Sequence, residues 1–202
     1  LVAGLTEFMG QSITKGIYKV FFLSLEEYWK PRSQRNAKQT QYLIEHIGND
    51  NWLDNYSAND DTVPRQISSE EEWLLLETLI KKNGANFVII DSLSRLYEGG
   101  IEDSGLAKKV ALRLRELCNR LKITLIIIHH TPKQIGRPIT IDSLAGSRML
   151  AQEADFMIGV GKSPEGKRYI KDVAFRYKQE DSENVMTFDI NSYQYAVEGI
   201  QL

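Results

Sequence analysis

Polar side chains that can bind a metal ion or transfer a proton follow three hydrophobic segments of this sequence. Glu26 and Glu27 follow the first segment, Asp91 closes the second, and His129 and His130 follow the third. A carboxylate held rigidly at the end of a buried strand suits a Mg²⁺ ion that bridges phosphates. A second carboxylate beside it can orient or deprotonate an attacking water, and a histidine can contact a phosphate. These residue types together indicate hydrolysis of a phosphate bond.

Each of these signals also has a plain structural interpretation. A Glu pair after a strand is typical of the start of a helix, and an Asp commonly closes a hydrophobic strand. Two adjacent histidines on a strand point in opposite directions, which is unfavourable for a shared metal. The common position of the three groups favours a site, because ligands of open parallel sheets bind at the carboxyl ends of the strands.

The elements that would position these groups alternate along the chain. Strands that are apolar on nearly every residue are expected at 20–23, 87–90 and 123–128. Helices are expected at 1–11, 31–46, 68–82 and 106–121, and a loop at 49–64. Short strands in antiparallel pairs are expected at 156–160, 169–177, 185–190 and 193–197. The pattern predicts an α/β fold with a mainly parallel sheet, right-handed crossovers and antiparallel C-terminal strands.

The composition is that of one globular domain in a reducing compartment. The chain has 202 residues, of which 42 % are hydrophobic and 26 % charged, and a formal net charge of −2. Its single cysteine excludes a disulfide framework, and its longest aliphatic run is too short for a bilayer. We therefore expect a cytoplasmic protein with no membrane partner. The near-neutral total hides a segregation, because residues 51–100 hold nine acids and four bases, whereas residues 101–150 hold nine bases and four acids.

A phosphate-binding loop is the part of such a site that this sequence does not supply. The pattern of such a loop is G-x-x-x-x-G-K-S/T between a strand and a helix. Only its last three positions match this sequence, at 161–163, and Phe156 stands where the first glycine is required. We reject that match. A genuine phosphate loop would precede a helix such as 1–11, so we expect a first strand and this loop upstream of Leu1, with residues 1–202 forming one N-terminally incomplete domain.

These segments resemble the RecA-like ATPases of the hexameric replicative-helicase group, which includes DnaB and the plasmid helicase RepA. The likeness is strongest to RepA-like AAA-family ATPases of mobile elements and extends over nearly the whole chain. It rests on the strands that end in Glu26 and Asp91 and on the segments 128–133 and 137–147. The resemblance implies a RecA-like three-layer fold that binds ATP and Mg²⁺ between subunits, with a hexameric ring as the expected assembly.

The resemblance also implies a role for each candidate residue. Glu26 would be the base that orients water, with Glu27 as its substitute. Asp91 would hold Mg²⁺ and His130 would sense the γ-phosphate. The remaining candidates are basic: Arg35, Arg176 and Lys178 would bind nucleotide, whereas Lys133, Arg137 and Arg148 would contact single-stranded DNA. The last three are also compatible with solvated loop charges.

The implied function is an ATP-hydrolysing motor that acts on DNA, as a helicase or as a replication or mobilisation ATPase. Two alternatives fit the same residues. A non-hydrolysing RecA-like paralogue would use the fold as a structural or regulatory subunit in DNA recombination or replication, without a phosphate loop. A clock- or signalling-type RecA ATPase would hydrolyse ATP without a DNA partner. The basic segment 101–150 favours the motor.

Overall fold

A computed structural model of the chain describes residues 7–8, 11–14, 16, 18–27, 34, 37, 41, 45, 52–55, 66–97, 104–131, 137–143, 148–177, 185–189 and 200–201. The chain divides into two compact units. Unit 1 comprises Leu1–Thr6, Ile13–Gly100 and Leu112–His130, and unit 2 comprises Glu7–Ser12, Ile101–Ala111 and Thr131–Leu202. This division does not test the prediction that residues 1–202 form one domain preceded by a first strand and a phosphate loop.

Strands and helices alternate along the described residues. The strands, in chain order, are β1 (Glu7–Phe8), β2 (Gln11–Ser12), β3 (Val20–Ser24), β4 (Trp52–Asn55), β5 (Phe87–Asp91), β6 (Thr124–Ile128), β7 (Phe156–Lys162), β8 (Arg168–Phe175), β9 (Val185–Phe188) and β10 (Ile200–Gln201). The helices are α1 (Glu70–Asn83), α2 (Ser104–Leu121) and α3 (Arg148–Glu153), with 3-10 turns at Leu93–Arg95 and Ile141–Ser143.

A four-stranded parallel sheet forms the centre of unit 1. Its strand order is β4-β3-β5-β6, and every neighbouring pair is parallel. Branched and aromatic side chains favour such strands, and Phe21, Leu23, Val88 and Ile90 are fully or almost fully buried. This arrangement confirms the parallel sheet that the three apolar segments predict.

Helix α1 has well-defined signals at both ends. Ser69 accepts a hydrogen bond from the Glu72 backbone N–H (3.2 Å), and the Glu72 carboxylate accepts one from the Ser69 N–H (3.1 Å), which is a capping box. The helix ends at Gly84, whose φ of 60° lies in the left-handed region that glycine adopts without strain. The boundaries match the predicted helix 68–82 to within two residues.

Two ion pairs join α1 to the second half of α2. Arg113 donates to both carboxylate oxygens of Glu70, and Arg120 does so to Glu77. The Arg113 guanidinium also lies 4.7 Å from the centre of the Trp73 ring, a favourable cation–π geometry. Both pairs join residues 43 positions apart, as expected for parallel helices on the same face of the sheet.

Two predictions about local structure are wrong. Residues 7, 8 and 11, which lie within the expected helix 1–11, instead belong to the antiparallel pair β1–β2. Within the expected loop 49–64, residues 52–55 form strand β4, which is paired with β3 at the edge of the parallel sheet. The polar helix predicted at 31–46 agrees with the helical state of its four described residues.

Unit 2 contains an antiparallel sheet with the order β10-β9-β8-β7, which confirms the predicted change to antiparallel pairing. The strand expected at 193–197 lies outside the described residues. Gly161 and Lys162 belong to β7, and Ser163 begins the turn to β8. A Cβ on Gly161 would lie 2.5 Å from the Tyr169 ring, so this glycine serves close strand packing and not a phosphate loop. Within the described residues, no helix is both long and apolar enough to cross a membrane.

Candidate active site

The carboxyl edge of the parallel sheet brings three of the predicted residues together within unit 1. Ser24 pairs with Asp91 at the ends of β3 and β5, and the Leu25 N–H donates to the Asp91 carbonyl at 2.6 Å. These contacts fix the backbone from which Glu26 projects. The Nε2 atom of His130, two residues beyond β6, lies 3.3 Å from Glu26 Oε2 and 3.9 Å from Asp91 Oδ1.

The Glu26 carboxylate is held by two serine hydroxyls that follow β5. Both Ser92 and Ser94 donate to Oε1, the latter at 2.8 Å, and the two hydroxyl oxygens lie 2.7 Å apart. The Arg95 guanidinium adds a more distant charge, with its Nε atom 4.0 Å from the same oxygen. Because these groups engage Oε1, the second oxygen, Oε2, is the one that faces His130.

The electrostatic balance keeps Glu26 ionised at neutral pH. Burial raises the pKa of this carboxyl, but the hydrogen bonds from Ser92 and Ser94 and the charges of His130 and Arg95 lower it by more, so the net pKa lies below its usual range. The group is therefore an acceptor that can orient a water molecule. Burial, together with the nearby His130, lowers the pKa of His129, which favours a neutral imidazole there.

Ser92, Ser94 and Arg95 are site residues that the sequence pattern did not single out. They lie in and just before the 3-10 turn Leu93–Arg95, which starts one residue after the Asp91–Ser92 peptide bond, a cis bond. The Ile67 N–H donates to the Arg95 carbonyl at 2.7 Å and anchors this turn. Their signal in the sequence was three polar residues within four positions after Asp91, at the same sheet edge as the other candidates.

The other predicted residues are not brought into this cluster. Glu27 is half-buried next to Glu26, and its part in the site stays a prediction. Arg137 is exposed in unit 2, and Arg148 is the first residue of α3. The three remaining candidates lie outside the described residues: Arg35, Lys133 and Lys178.

Arg176 makes its contacts with nearby residues of unit 2. Its guanidinium donates to the Gln152 carbonyl, and its Nε atom lies 3.9 Å from Asp155 Oδ1. Its backbone N–H donates to the Asp155 carbonyl at 2.8 Å. To bind the nucleotide of a neighbouring subunit, the Arg176 guanidinium would therefore have to leave Gln152 and Asp155.

The cluster has the donor types of a divalent metal site. One carboxylate oxygen from Glu26, one from Asp91 and a nitrogen of His130 lie within 4.8 Å of one another. Carboxylate oxygens are the hard ligands that Mg²⁺ prefers, so the two acidic residues fit that ion. The His130 side chain is 68 % exposed, which leaves the cluster open to a ligand from solvent.

A parallel α/β sheet with two carboxylates and a histidine at its carboxyl edge, followed by antiparallel strands, is the arrangement that the resemblance to RecA-like ATPases predicts. Comparison with known proteins agrees. The chain belongs to the AAA domain family, whose family model matches residues 3–136.

One solved structure supports the fold independently. A KaiC-like protein from the hyperthermophilic archaeon Pyrococcus horikoshii OT3 is similar with a TM-score of 0.54 and 17 % sequence identity. The match covers 90 % of this chain and 76 % of that protein. At this identity the likeness shows the fold alone, and it confirms the predicted RecA-like α/β architecture. A search of curated proteins gives no match.

Proposed function

We propose that this domain hydrolyses ATP at the Glu26–Asp91–His130 cluster. The observation that carries the proposal is the convergence of these three side chains, within 4.8 Å, at the carboxyl edge of the parallel sheet. In an ATPase family such an edge is where a nucleotide and its metal ion bind. Bound Mg²⁺ would supply positive charge to the phosphate oxygens as the terminal bond breaks.

Each residue of the cluster has a distinct task in this proposal. Asp91 is fixed at the end of a buried strand, and its carboxylate would bind the Mg²⁺ ion. Glu26 is ionised and accepts a hydrogen bond from the attacking water, because Ser92 and Ser94 keep its carboxylate in place. His130 is exposed and donates from Nε2 to an oxygen of the terminal phosphate. Catalysis then comes from positioned charge rather than from a covalent intermediate.

We further propose that ATP hydrolysis drives action on DNA, by a homo-oligomer that we expect to be a hexameric ring. The support is the excess of five basic residues in the segment 101–150, which includes Lys133, Arg137 and Arg148. Exposed arginine and lysine side chains bind the phosphates of nucleic acids, and Arg137 is exposed. Arg35, Arg176 and Lys178 are proposed to contact the nucleotide.

The test is ATP turnover by the full-length gene product, with and without single-stranded DNA. Glu26→Gln and Asp91→Asn should each reduce turnover by about a hundredfold or more, the scale of lost acid–base and metal contributions. Glu71→Gln, which changes an exposed carboxylate on α1, is the matched control and should keep wild-type activity. Unchanged turnover in both site variants would reject the assignment.

The DNA-acting role has its own measurement. Binding of the full-length gene product to single-stranded DNA should weaken as salt rises, because phosphate contacts release counterions. Arg137→Ala should reduce the slope of log affinity against log salt by about 0.7, the value for one phosphate on a single strand. ATP turnover without any salt-dependent DNA binding would instead favour the signalling-type ATPase. No turnover together with DNA binding would favour the non-hydrolysing paralogue.

A further inference from the structure

The three groups that converge at the sheet edge include an imidazole as well as two carboxylates. Imidazole nitrogen is a common ligand of zinc and other first-row transition ions, whereas Mg²⁺ takes oxygen ligands almost exclusively. The Nε2 atom of His130 is directed at both carboxylates, with separations of 3.3 Å from Glu26 and 3.9 Å from Asp91. As a metal ligand, this nitrogen suits a transition ion rather than Mg²⁺.

The closest pair of donor atoms in the cluster has the separation of two ligands on a tetrahedral ion. Two ligand atoms that share a tetrahedral Zn²⁺ at about 2.0–2.1 Å are about 3.3 Å apart. Neighbouring ligands of an octahedral Mg²⁺ at the same bond length are about 2.9 Å apart. The His130–Glu26 separation of 3.3 Å equals the tetrahedral value. The His130–Asp91 separation is 3.9 Å, and the three donor atoms lie within 4.8 Å of one another, so a bound ion would draw the ligands closer together.

We infer that Glu26, Asp91 and His130 form a binding site for a divalent transition-metal ion, with Zn²⁺ as its representative, in the nucleotide-free protein. Three protein ligands leave the fourth tetrahedral position to water. The 68 % exposed side chain of His130 places that position at the solvent side of the cluster. This is the open form of zinc site, in contrast to closed four-ligand structural sites.

The serines beside the cluster act as an outer shell for this ion. Metal-binding carboxylates are usually hydrogen-bonded through their second oxygen, which fixes their orientation. Ser92 and Ser94 both donate to Glu26 Oε1 and leave Oε2 as the oxygen next to His130. The Leu25 N–H bond to the Asp91 carbonyl fixes the spacing of the two strand ends. The site is therefore organised before any ion enters.

Occupation by Zn²⁺ has a consequence for catalysis that rests on the proposed function. Glu26 and His130 cannot both coordinate zinc and contact the attacking water and the terminal phosphate. Zn²⁺ is accordingly an inhibitor of ATP hydrolysis that competes with loading of Mg·ATP. The zinc site itself does not depend on whether the protein hydrolyses ATP.

The test measures Zn²⁺ binding to the nucleotide-free, full-length gene product by competition with a chromogenic chelator. A Cys118→Ser background removes the only thiol of the chain as a rival ligand. His130→Asn and Asp91→Asn should each weaken Zn²⁺ binding by at least about tenfold. His46→Asn, at another of the three histidines of the chain, is the control and should bind as before. A large excess of Mg²⁺ should leave the Zn²⁺ bound.

Two results would overturn the inference. One is Zn²⁺ binding that His130→Asn and Asp91→Asn leave unchanged, and the other is displacement of Zn²⁺ by Mg²⁺ at comparable concentration. Co²⁺ provides a second readout, because a tetrahedral site gives intense visible absorption that should disappear in His130→Asn. Zinc binding without ATP turnover would refute the proposed function and support this inference. ATP turnover without zinc binding would support the proposed function and refute this inference.

Discussion

Removal of the serine hydroxyls that hold Glu26 tests the site most directly. Ser92→Ala and Ser94→Ala each delete one hydrogen bond to Oε1 and leave Glu26, Asp91 and His130 in place. If Glu26 orients the attacking water, its carboxylate should then turn more freely and bind protons more tightly. Turnover should fall, although no residue that touches the nucleotide has been changed.

The size of the effect follows from the number and surroundings of these bonds. A hydrogen bond to a charged group contributes about 1.5–3 kcal/mol, and the lower end applies because the Glu26 side chain is 31 % exposed. Since 1.36 kcal/mol corresponds to a factor of ten in rate, Ser92→Ala should slow turnover by about tenfold. The exposed Ser94 should contribute less. The two bonds share one acceptor, so the double variant should lose less than the product of the single losses.

The assay is the rate of ATP hydrolysis by the full-length gene product as a function of pH. The two serines lower the pKa of Glu26, so their removal raises that pKa, and the acid limb of the profile should move to higher pH. Ser24→Ala is the control, because Ser24 is as buried as Ser92 but its hydroxyl has no hydrogen-bond partner among the described residues. Equal losses in Ser24→Ala and Ser92→Ala, or an unmoved acid limb in the double variant, would refute the reasoning.

Three further predictions concern stability. Ile90→Ala empties a fully buried position of β5 and should cost about 2–5 kcal/mol in urea unfolding; a cost under about 1 kcal/mol would contradict this core. Gly161→Ala should lower the melting temperature, because its Cβ would meet the Tyr169 ring at 2.5 Å. Hydrogen bonding from Lys81 lowers the pKa of Glu77, so the stability that this carboxylate contributes is present above the ordinary Glu pKa of about 4.3 and is lost as pH falls below it. Glu77→Gln should flatten that decline in acid unfolding.

The strands with continuous apolar runs were the most predictable part of the fold. β3, β5 and β6 begin and end within one residue of the expected segments, because burial on both faces demands an uninterrupted run. Strand β4 was not predicted, because its sequence contains Asp54 and Asn55. Among the described residues it pairs only with β3. The apolar spacing before β3 suggested a helix, but residues 7–8 and 11–12 pair as strands.

The carboxylates of the site were predictable and their hydrogen bonds were not. Any acidic residue at the carboxyl end of an inner parallel strand lies at the edge where ligands bind, so Glu26 and Asp91 follow from strand positions alone. The convergence of Ser92 and Ser94 on one oxygen depends on the 3-10 turn Leu93–Arg95. A short turn of this kind has no periodic pattern in the sequence from which it could be predicted.

The register of the sheet explains why Glu26 and His130 reach the site although each has a neighbour of the same type. Asp91 pairs with Ser24 on one side and with Ile128 on the other, and paired residues of adjacent strands project to the same face. Side chains two positions further along an extended chain keep that face. Glu26 and His130 are each two positions beyond a partner of Asp91, whereas Glu27 and His129 are three and one positions beyond, an odd separation that an extended chain would direct to the opposite face. A one-residue shift in either pairing would exchange the members of each pair, so strand register determines which carboxylate and which imidazole join Asp91.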